Sequence, residues 1–491
     1  MSSPNTPNLR DLQKINDLRE ILFPLIKENK KRETKPILIK ISPDLNDSDI
    51  KKIVDLSFDL KIDGIITSNT TLDRNNLKSK KKLATESGGL SGEPLNNRST
   101  DIIRLIHQYS NKKLPIIGVG GRGRANWSQV PNENIVAMCD VDFNRASRGF
   151  NLQPNAKRYK DYRVMFDEMA NQIDAVIIST PDHTHFPATM IAMELGKHVY
   201  VEKPLAHSVW QLRTLKKAAN YYGIVSQMGN QGHTTNGIRL IKEWYEQGIL
   251  GEVKEVHAWH GKFNFRPNFY WTKPVSFPPP EHPIPDNFDY DLWLGPAKYR
   301  PFNSAYHPLA WRGFYDFGNG MLGDWSAHTL DGPFWALNLG MPLSVETKAP
   351  NPMTKHGFIA DESVTKFEFG SRGDKPPVTL KWYEGGEKPE IKPEWNLDKL
   401  PNAGMVMIGD KNTLITGGRP DRPKLIMSDN DWKEFQNNPP KKYIPRVGEN
   451  RPVDEWIDSI KNNKLPGSNF NYSAELTEMA IVGTLAQRLA T

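Results

Sequence analysis

The sequence predicts an α/β protein in three parts. They are an incomplete β/α barrel, a doubly wound parallel sheet, and an α+β domain with an open, mainly antiparallel sheet. Three observations predict this. Short βα units with continuous apolar strands fill the first two parts, the pattern of strands buried on both faces. An apolar strand ends in a glycine cluster at "LPIIGVGGRGR", Leu114 to Arg124. From about Gly251 the strands lengthen and become half-exposed, between loops rich in proline and aromatics such as "SFPPPEHPIPDNFDYDLWLGP".

The elements follow in order. "NLRDLQKINDLREILFPLIKE" has helical spacing. "KPILIKISPD" is a buried strand closed by a Pro-Asp turn, and "DSDIKKIVDLSFDLK" is a helix opened by an Asp or Ser cap. "IDGIITSNTT" is a second buried strand, "NRSTDIIRLIHQYS" a capped helix, and "LPIIGVGG" a third strand. A second alternation then begins with the helix "RGRANWSQV". Its strands are "NIVAMCDVD", "DAVIISTP", "KHVYVEKP" and "IVSQMG", with helices such as "FPATMIAMELG" and "VWQLRTLKKAANYYG" between them. "EVKEVHAWHGKF", "ESVTKFEFG", "PVTLKWYEG" and "GMVMIGDKNTLITGG" are the longer strands of the last part. Helices close the chain, from "PVDEWIDSIKNN" to "YSAELTEMAIVGTLAQRLAT". The expected boundaries are 1–113, 114–248 and 249–491, with the last helices packing back on the middle part.

Composition narrows the function. Cys139 is the single cysteine of 491 residues, which excludes a disulfide framework and a thiolate metal site. No apolar run approaches a membrane span, and "MSSPNTPNLRDLQK" holds no signal-peptide core, so a cytoplasmic setting and no membrane partner are expected. The net charge is +7, and residues 1–115 hold 21 Lys+Arg against 15 Asp+Glu, so the surplus is almost wholly N-terminal. Its knot, "LKSKKK", has no interleaved aromatics, which reads as a solvated loop and not a nucleic-acid surface.

Five ordered motifs, "SSPNTPNLRDLQ", "ILIKISPDL", "IITSNTTLDR", "GGLSGEPL" and "LPIIGVGG", resemble the C-terminal half of class 2, quinone-dependent dihydroorotate dehydrogenase, an FMN-binding barrel. The resemblance implies Ser3 as catalytic base, Asn5 as a substrate contact and Lys40 near the flavin. It places Ser68 where the family has Thr, Asn69 and Thr70 at the pyrimidine, and Gly92 and Gly120 at the FMN phosphate. The chain begins at the catalytic loop, so the earlier barrel strands are missing, and the final strand with its phosphate loop is missing too. A barrel has no stable edge until it closes. The expectation is a remnant that binds no FMN.

Gly118-Val119-Gly120-Gly121-Arg122-Gly123 is GxGxxG between a strand and a helix, and Asp140 ends the next strand twenty positions after Gly120. That context is the dinucleotide fingerprint: bare backbone for the pyrophosphate at a helix N-terminus, and a carboxylate for the ribose. A carboxylate there repels a 2′-phosphate, so NAD is expected over NADP.

Downstream, "STPDHTHFPATMIAMELGKHVYVEKPLAHS", "GNQGHTTNGIRLIKEWYEQGILGEVKEVHAW" and "GNGMLGDWSAHTLD" resemble the Gfo/Idh/MocA oxidoreductases, over nearly all of Gly118 to Thr491. The resemblance implies a Rossmann domain plus a substrate domain, and a homo-oligomer formed through the C-terminal sheet. In "EKP", Glu202-Lys203-Pro204, an ammonium follows a buried strand, at the edge that faces a cofactor crevice. Asp324 and His328 are four apart, which on a helix shares a face. Alcohol oxidation needs a base for the O–H proton, and a carboxylate can orient a histidine for that work. By resemblance His328 is the acid/base, Asp324 its partner and Lys203 the third member. Thr180, Pro181, His185 and Glu202 join the cofactor site. His183 and His185 form H-x-H in the loop after a strand. With no third ligand at a convincing spacing, no metal is expected there. Trp259, Trp271, Trp293, Trp311 and Trp325 could offer flat faces to sugar C–H groups, although most should serve the core. The family usually continues past "VGTLAQRLAT" with a closing strand, so a looser back of the last domain is expected.

The reading is an NAD-dependent oxidoreductase moving a hydride between nicotinamide and a sugar-like polyol or sugar derivative. Three alternatives stay open: an NAD-dependent glycosidase on the same fold, a dihydroorotate dehydrogenase, and a chimera that turns nothing over.

Overall fold

A computed structural model of the chain describes residues 10–29, 35, 37–60, 62–74, 88–91, 113–263, 265, 269–350, 353–395 and 397–490, with single positions at 95, 98, 99, 101, 102, 105 and 106. Its contacts divide it into two units, Met1–Lys112 and Lys113–Thr491.

The first unit holds α1 (Ile15–Asn29), β1 (Leu38–Lys40), α2 (Asp47–Asp59) and β2 (Gly64–Ile66). β1 and β2 pair in parallel, with Ile39 opposite Ile65. Leu18, Leu22, Ile39, Ile50 and Ile53 pack between helices and strands. α2 is capped by Asn46, whose side chain accepts from Asp49 N, one residue before the expected Asp.

The second unit opens with β3 (Lys113–Ile117) and α3 (Gly121–Trp127). Next come β4 (Asn134–Cys139), α4 (Phe143–Leu152), β5 (Lys157–Tyr159), α5 (Tyr162–Met169) and β6 (Ala175–Ile178). α6 (Asp182–Glu194), β7 (His198–Val201), α7 (Val209–Tyr222), β8 (Ser226–Met228) and α8 (Asn236–Glu246) complete the alternation. The six strands form one sheet in the order β5-β4-β3-β6-β7-β8. Every pair is parallel. The order turns back at β3, the point at which such sheets open a crevice. Successive side chains go to opposite faces: Ile116, Ile177 and Tyr200 join one core, Ile117, Ile178 and Val201 the other.

A seven-stranded sheet follows, built from β9 (Val253–His260), β10 (Ser344–Lys348), β11 (Ser363–Phe369), β12 (Val378–Glu384), β13 (Ala403–Gly409), β14 (Thr413–Gly417) and β15 (Lys424–Leu425). Its order is β10-β11-β12-β9-β13-β14-β15. β12 and β9 are parallel and the remaining pairs antiparallel. β11 and β12 alternate buried and half-buried residues, so one face is the core face. α9 (Tyr290–Leu294), α10 (Gly320–Thr329), α11 (Asp331–Leu337), α12 (Asp429–Asn437), α13 (Pro452–Asn462) and α14 (Phe470–Leu489) complete the unit. The last two return to the parallel sheet. Trp456 Nε1 donates to Val225 O at 3.2 Å, and Arg213 of α7 pairs with Glu478 of α14 at 2.5 Å. These contacts join the last two helices to the edge of the parallel sheet at β8.

Candidate active site

The loop after β3 is shaped by glycine. Gly118 has φ +84°, and a Cβ on it would lie 2.7 Å from the Ser179 carbonyl. A Cβ on Gly123 would lie 1.6 Å from Gly118 O, so α3 closes directly onto the loop. Asp140 follows β4. Its Oδ2 accepts from Val119 N at 2.8 Å and Gly120 N at 3.2 Å, and its Oδ1 from Asp142 N at 3.0 Å. The sequence suggested a ribose acceptor; here the carboxylate also holds the loop backbone. Burial pushes its pKa up, against the lowering pull of those backbone bonds. Glu202 is buried and accepts from Asn126 Nδ2 at 2.8 Å, which ties the end of β7 to α3.

One cavity of about 740 Å³ extends from this loop to residues that lie between β9 and β10. Its wall includes Gly118, Gly120, Gly121, Arg122 and Asp140, then Thr180, Pro181, Glu202 and Lys203, then Tyr270, Trp293, Trp311 and Arg312. Of the tryptophans considered above, Trp293 and Trp311 reach this wall. Trp259 is fully buried in a separate cluster.

Lys203, two residues past β7, reaches across to α10. Its Nζ donates to Asp324 Oδ1 at 2.6 Å and to Asp324 O at 2.9 Å. Tyr270 OH donates to Asp324 Oδ2 at 2.5 Å, and Arg312 Nε to Oδ1 at 3.4 Å. Burial alone would raise the Asp324 pKa, but the Lys203 and Arg312 charges outweigh it and hold the carboxyl ionised, well below its usual range. The expected Asp324–His328 pair is not made. No hydrogen bond joins the two among the described residues, because a neighbouring ammonium is the stronger partner for a buried carboxylate. His328 is 2% exposed and is not among the residues that line the cavity, and among the described residues its Nδ1 has no hydrogen-bond partner. Burial first, then the Lys203 and Arg419 charges, hold its pKa well below the usual histidine value, so the ring is neutral.

The H-x-H pair does not lie in a loop. Asp182 opens α6, and both histidines stand in its first turn. His185 Nδ1 lies 2.8 Å from Pro204 O and Nε2 2.9 Å from Thr180 O. His183 Nε2 lies 2.8 Å from Trp293 O and Nδ1 3.2 Å from Phe317 O. Both rings are committed to backbone carbonyls, with burial pushing their pKa down to about 4 and about 3. His185 pins the loop that carries Lys203 and does not reach the cavity wall. Among the described residues no group of three His, Cys, Asp or Glu could hold a metal ion. Among the cavity residues that escaped sequence reasoning are Tyr270, Arg312 and Asp182. The last is 4% exposed and pushed up to about 8, by burial first and then by the Asp324 charge.

In the first unit, Lys40 is exposed at the end of β1. Ser68 Oγ bonds Ser99 Oγ at 2.8 Å, and Asn69 Oδ1 accepts from Thr70 N at 2.9 Å. Ser3, Asn5 and Gly92 lie outside the described residues. Gly120 belongs to the dinucleotide loop of the second unit.

Residues 112–230 match the model for an oxidoreductase family with an NAD-binding Rossmann fold, and residues 234–360 the C-terminal α/β domain of the same family. From residue 112 onward the chain belongs to the Gfo/Idh/MocA family of NAD(P)-dependent oxidoreductases. Residues 1–126 match the dihydroorotate dehydrogenase model. The dihydroorotate dehydrogenase (quinone) of Christiangramia forsetii is 52% identical over 122 residues, 25% of this chain and 35% of that protein. That of Trichodesmium erythraeum is 50% identical over 127 residues, 25% of this chain and 33% of that protein. The chain thus spans about a third of the length of these relatives. Two solved structures share the Gfo/Idh/MocA fold. The WlbA dehydrogenase of Bordetella pertussis, in complex with NADH and UDP-GlcNAcA, is 16% identical with TM-score 0.52, covering 77% of this chain and 97% of that one. An inositol dehydrogenase homolog from Azotobacter vinelandii, complexed with NADH and myo-inositol, is 18% identical with TM-score 0.52, covering 77% and 95%. The Gfo/Idh/MocA loop in this chain fits a dinucleotide. A Cβ on Gly120 or Gly121 would press on Arg145 at 2.9 or 3.0 Å, whereas bare backbone leaves the cavity open at that point.

Proposed function

We propose that residues 113–491 transfer a hydride between nicotinamide and a sugar-like polyol or sugar derivative. One observation carries the reading. Lys203, clamped to Asp324 at 2.6 Å, shares a cavity with the glycine loop. Gly118, Gly120, Gly121, Asp140 and Glu202 would hold NAD, which supplies the hydride acceptor when bound. NADP is disfavoured because the Asp140 carboxylate opposes a 2′-phosphate. The hydroxylated rings seen with the solved relatives support the substrate class.

The side chains divide the work. An ammonium has three donors, and two of those on Lys203 go to Asp324. The third is left for the substrate hydroxyl. As the carbon gives up its hydride, the hydroxyl proton passes to neutral His328. Asp324, kept ionised, fixes Lys203 throughout.

The test is the full chain with NAD and a panel of sugars, inositols and sugar acids, followed at the NADH absorbance band. NADH accumulates with at least one hydroxylated ring compound. No reaction with any of them overturns the reading. Cleavage of a glycoside with no net NADH replaces it with the glycosidase alternative.

A further inference from the structure

Arg312 stands on the short 3₁₀ turn Ala310–Gly313, in the cavity wall. Its guanidinium is held between two rings, 4.2 Å from the centroid of Tyr270 and 4.2 Å from that of Trp311. Nη1 donates to Leu309 O at 3.0 Å and Nε to Asp324 Oδ1 at 3.4 Å. Among the described residues nothing accepts from Nη2, and no carboxylate besides Asp324 comes within ion-pair distance. Asp324 is already shared with Lys203 and Tyr270. The nearby Asp182 adds little negative charge at neutral pH, because burial keeps it largely protonated. The inner cavity therefore carries two cations, Lys203 and Arg312, against one committed carboxylate.

A guanidinium is a planar fork of donors that matches a carboxylate, and the flanking rings fix its plane before any ligand arrives. Little side-chain freedom is then lost on binding. Arg163, another arginine in the wall, is already paired with Asp161 at 2.7 Å. With Nε and Nη1 already engaged, the N–H donors left on Nη2 suit a carboxylate better than a phosphate, which would call on several cations.

We infer that Arg312 determines specificity for an acidic substrate: a sugar or polyol derivative whose carboxylate meets Nη2 while the hydroxyl to be oxidised meets Lys203. This rests on the hydride-transfer reading and narrows its substrate class to compounds of the uronic acid kind.

The experiment is calorimetric titration of the NADH-loaded full chain with D-glucuronate, its methyl ester, D-glucose and D-glucose 6-phosphate at neutral pH. A charge-assisted contact makes glucuronate bind at least about ten-fold more tightly than the ester or glucose. Arg312→Gln brings acid and ester to within roughly two-fold while NADH affinity holds. Arg312→Lys, which keeps the charge and loses the fork, lies between. An ester that binds as tightly as the acid overturns the assignment, and so does an Arg312→Gln change that weakens both equally. Preference for the 6-phosphate overturns the carboxylate in favour of a phosphate. If Arg312→Gln fails to fold, the acid-to-ester ratio of the parent chain still decides. Oxidation of neutral sugars with no acid preference sinks this inference alone; no binding by any of the four sinks it together with the sugar reading.

Discussion

Lys203 and Asp324, 121 positions apart in the sequence, are joined twice: Nζ donates to the side-chain Oδ1 at 2.6 Å and to the backbone carbonyl at 2.9 Å. The pair bridges the end of a parallel strand and the first turns of α10. Both groups are nearly buried, with side chains 10% and 4% exposed. Breaking one half of such a pair leaves an uncompensated charge and typically costs about 3–5 kcal/mol. Asp324→Asn should therefore lower the melting temperature and cut turnover by about 10² or more, since Lys203 loses its anchor. NAD affinity should change little. Turnover and melting measured side by side check this. Full turnover in Asp324→Asn would mean that Lys203 needs no carboxylate to stay in place.

His328→Ala should lower turnover by about 10²–10⁴ and leave NAD affinity intact. Burial holds the ring neutral, and among the described residues its Nδ1 has no hydrogen-bond partner. Near-full turnover on the best substrate would remove the ring from the mechanism. His185, whose two nitrogens both face carbonyls, is not a ready substitute.

For Asp140→Ala the structure changes the sequence-based expectation. Spacing alone implies a relaxed choice between NAD and NADP. The carboxylate also accepts from Val119 N and Gly120 N, at 2.8 and 3.2 Å. Its loss should loosen the loop as well, so NAD binding weakens by about ten-fold or more while the NAD-to-NADP ratio moves toward one. Calorimetry with both cofactors separates these effects. A changed ratio at full NAD affinity would mean that the loop holds its shape unaided.

The dinucleotide loop was legible because its cause is local. Strand, turn and helix need glycine at fixed offsets, so Gly118 and Gly123 show in the spacing. Asp324 and His328 were legible as residue types on one helix face, but their partners were not. Which group a buried carboxylate binds depends on what the rest of the fold brings to it, here Lys203, Tyr270 and Arg312. Tyr270 lies in an irregular segment and Arg312 on a short turn, neither with periodicity to read. "PDHTHFP" read as a loop because Pro181 and Pro187 bracket it. Pro181 is the N-cap of α6, where a missing N–H costs little, whereas Pro187 lies inside the helix and gives up one backbone bond.

Removing the first 112 residues should leave NAD binding intact, because the structure divides at Lys112 and β3 to β8 all lie beyond it. The shortened chain and the full chain should bind NAD with equal affinity, and neither should bind FMN. Stoichiometric FMN in the full chain would show that the first unit keeps a working flavin site. Loss of NAD binding in the shortened chain would show that the first unit supports the second.

Asp182 should make stability fall as pH rises. A carboxylate in the first turn of a helix is ordinarily favoured by the helix dipole. Here burial wins, aided by the Asp324 charge and opposed by Arg312 and Lys203, and the group is pushed from 3.8 to about 8. The folded chain then holds a proton that the unfolded chain releases, so stability drops with rising pH wherever the two states differ. The proton's contribution is complete below 3.8 and is lost as pH climbs through about 8. Glu384, pushed up to about 7 by burial, titrates in the same direction and would blur a single curve. Comparison with Asp182→Asn removes it, because Glu384 is common to both proteins. The substituted side chain keeps the shape of the protonated acid and has no such proton to lose. At pH 5 a part of the difference in melting temperature between the two proteins is already present, because the unfolded carboxyl ionises above 3.8. The gap should widen in favour of Asp182→Asn toward pH 9, by at least about 2 °C. Parallel melting curves across that range would mean that Asp182 is ionised throughout, held by Arg312 and Lys203. The inner cavity would then be neutral instead of cationic.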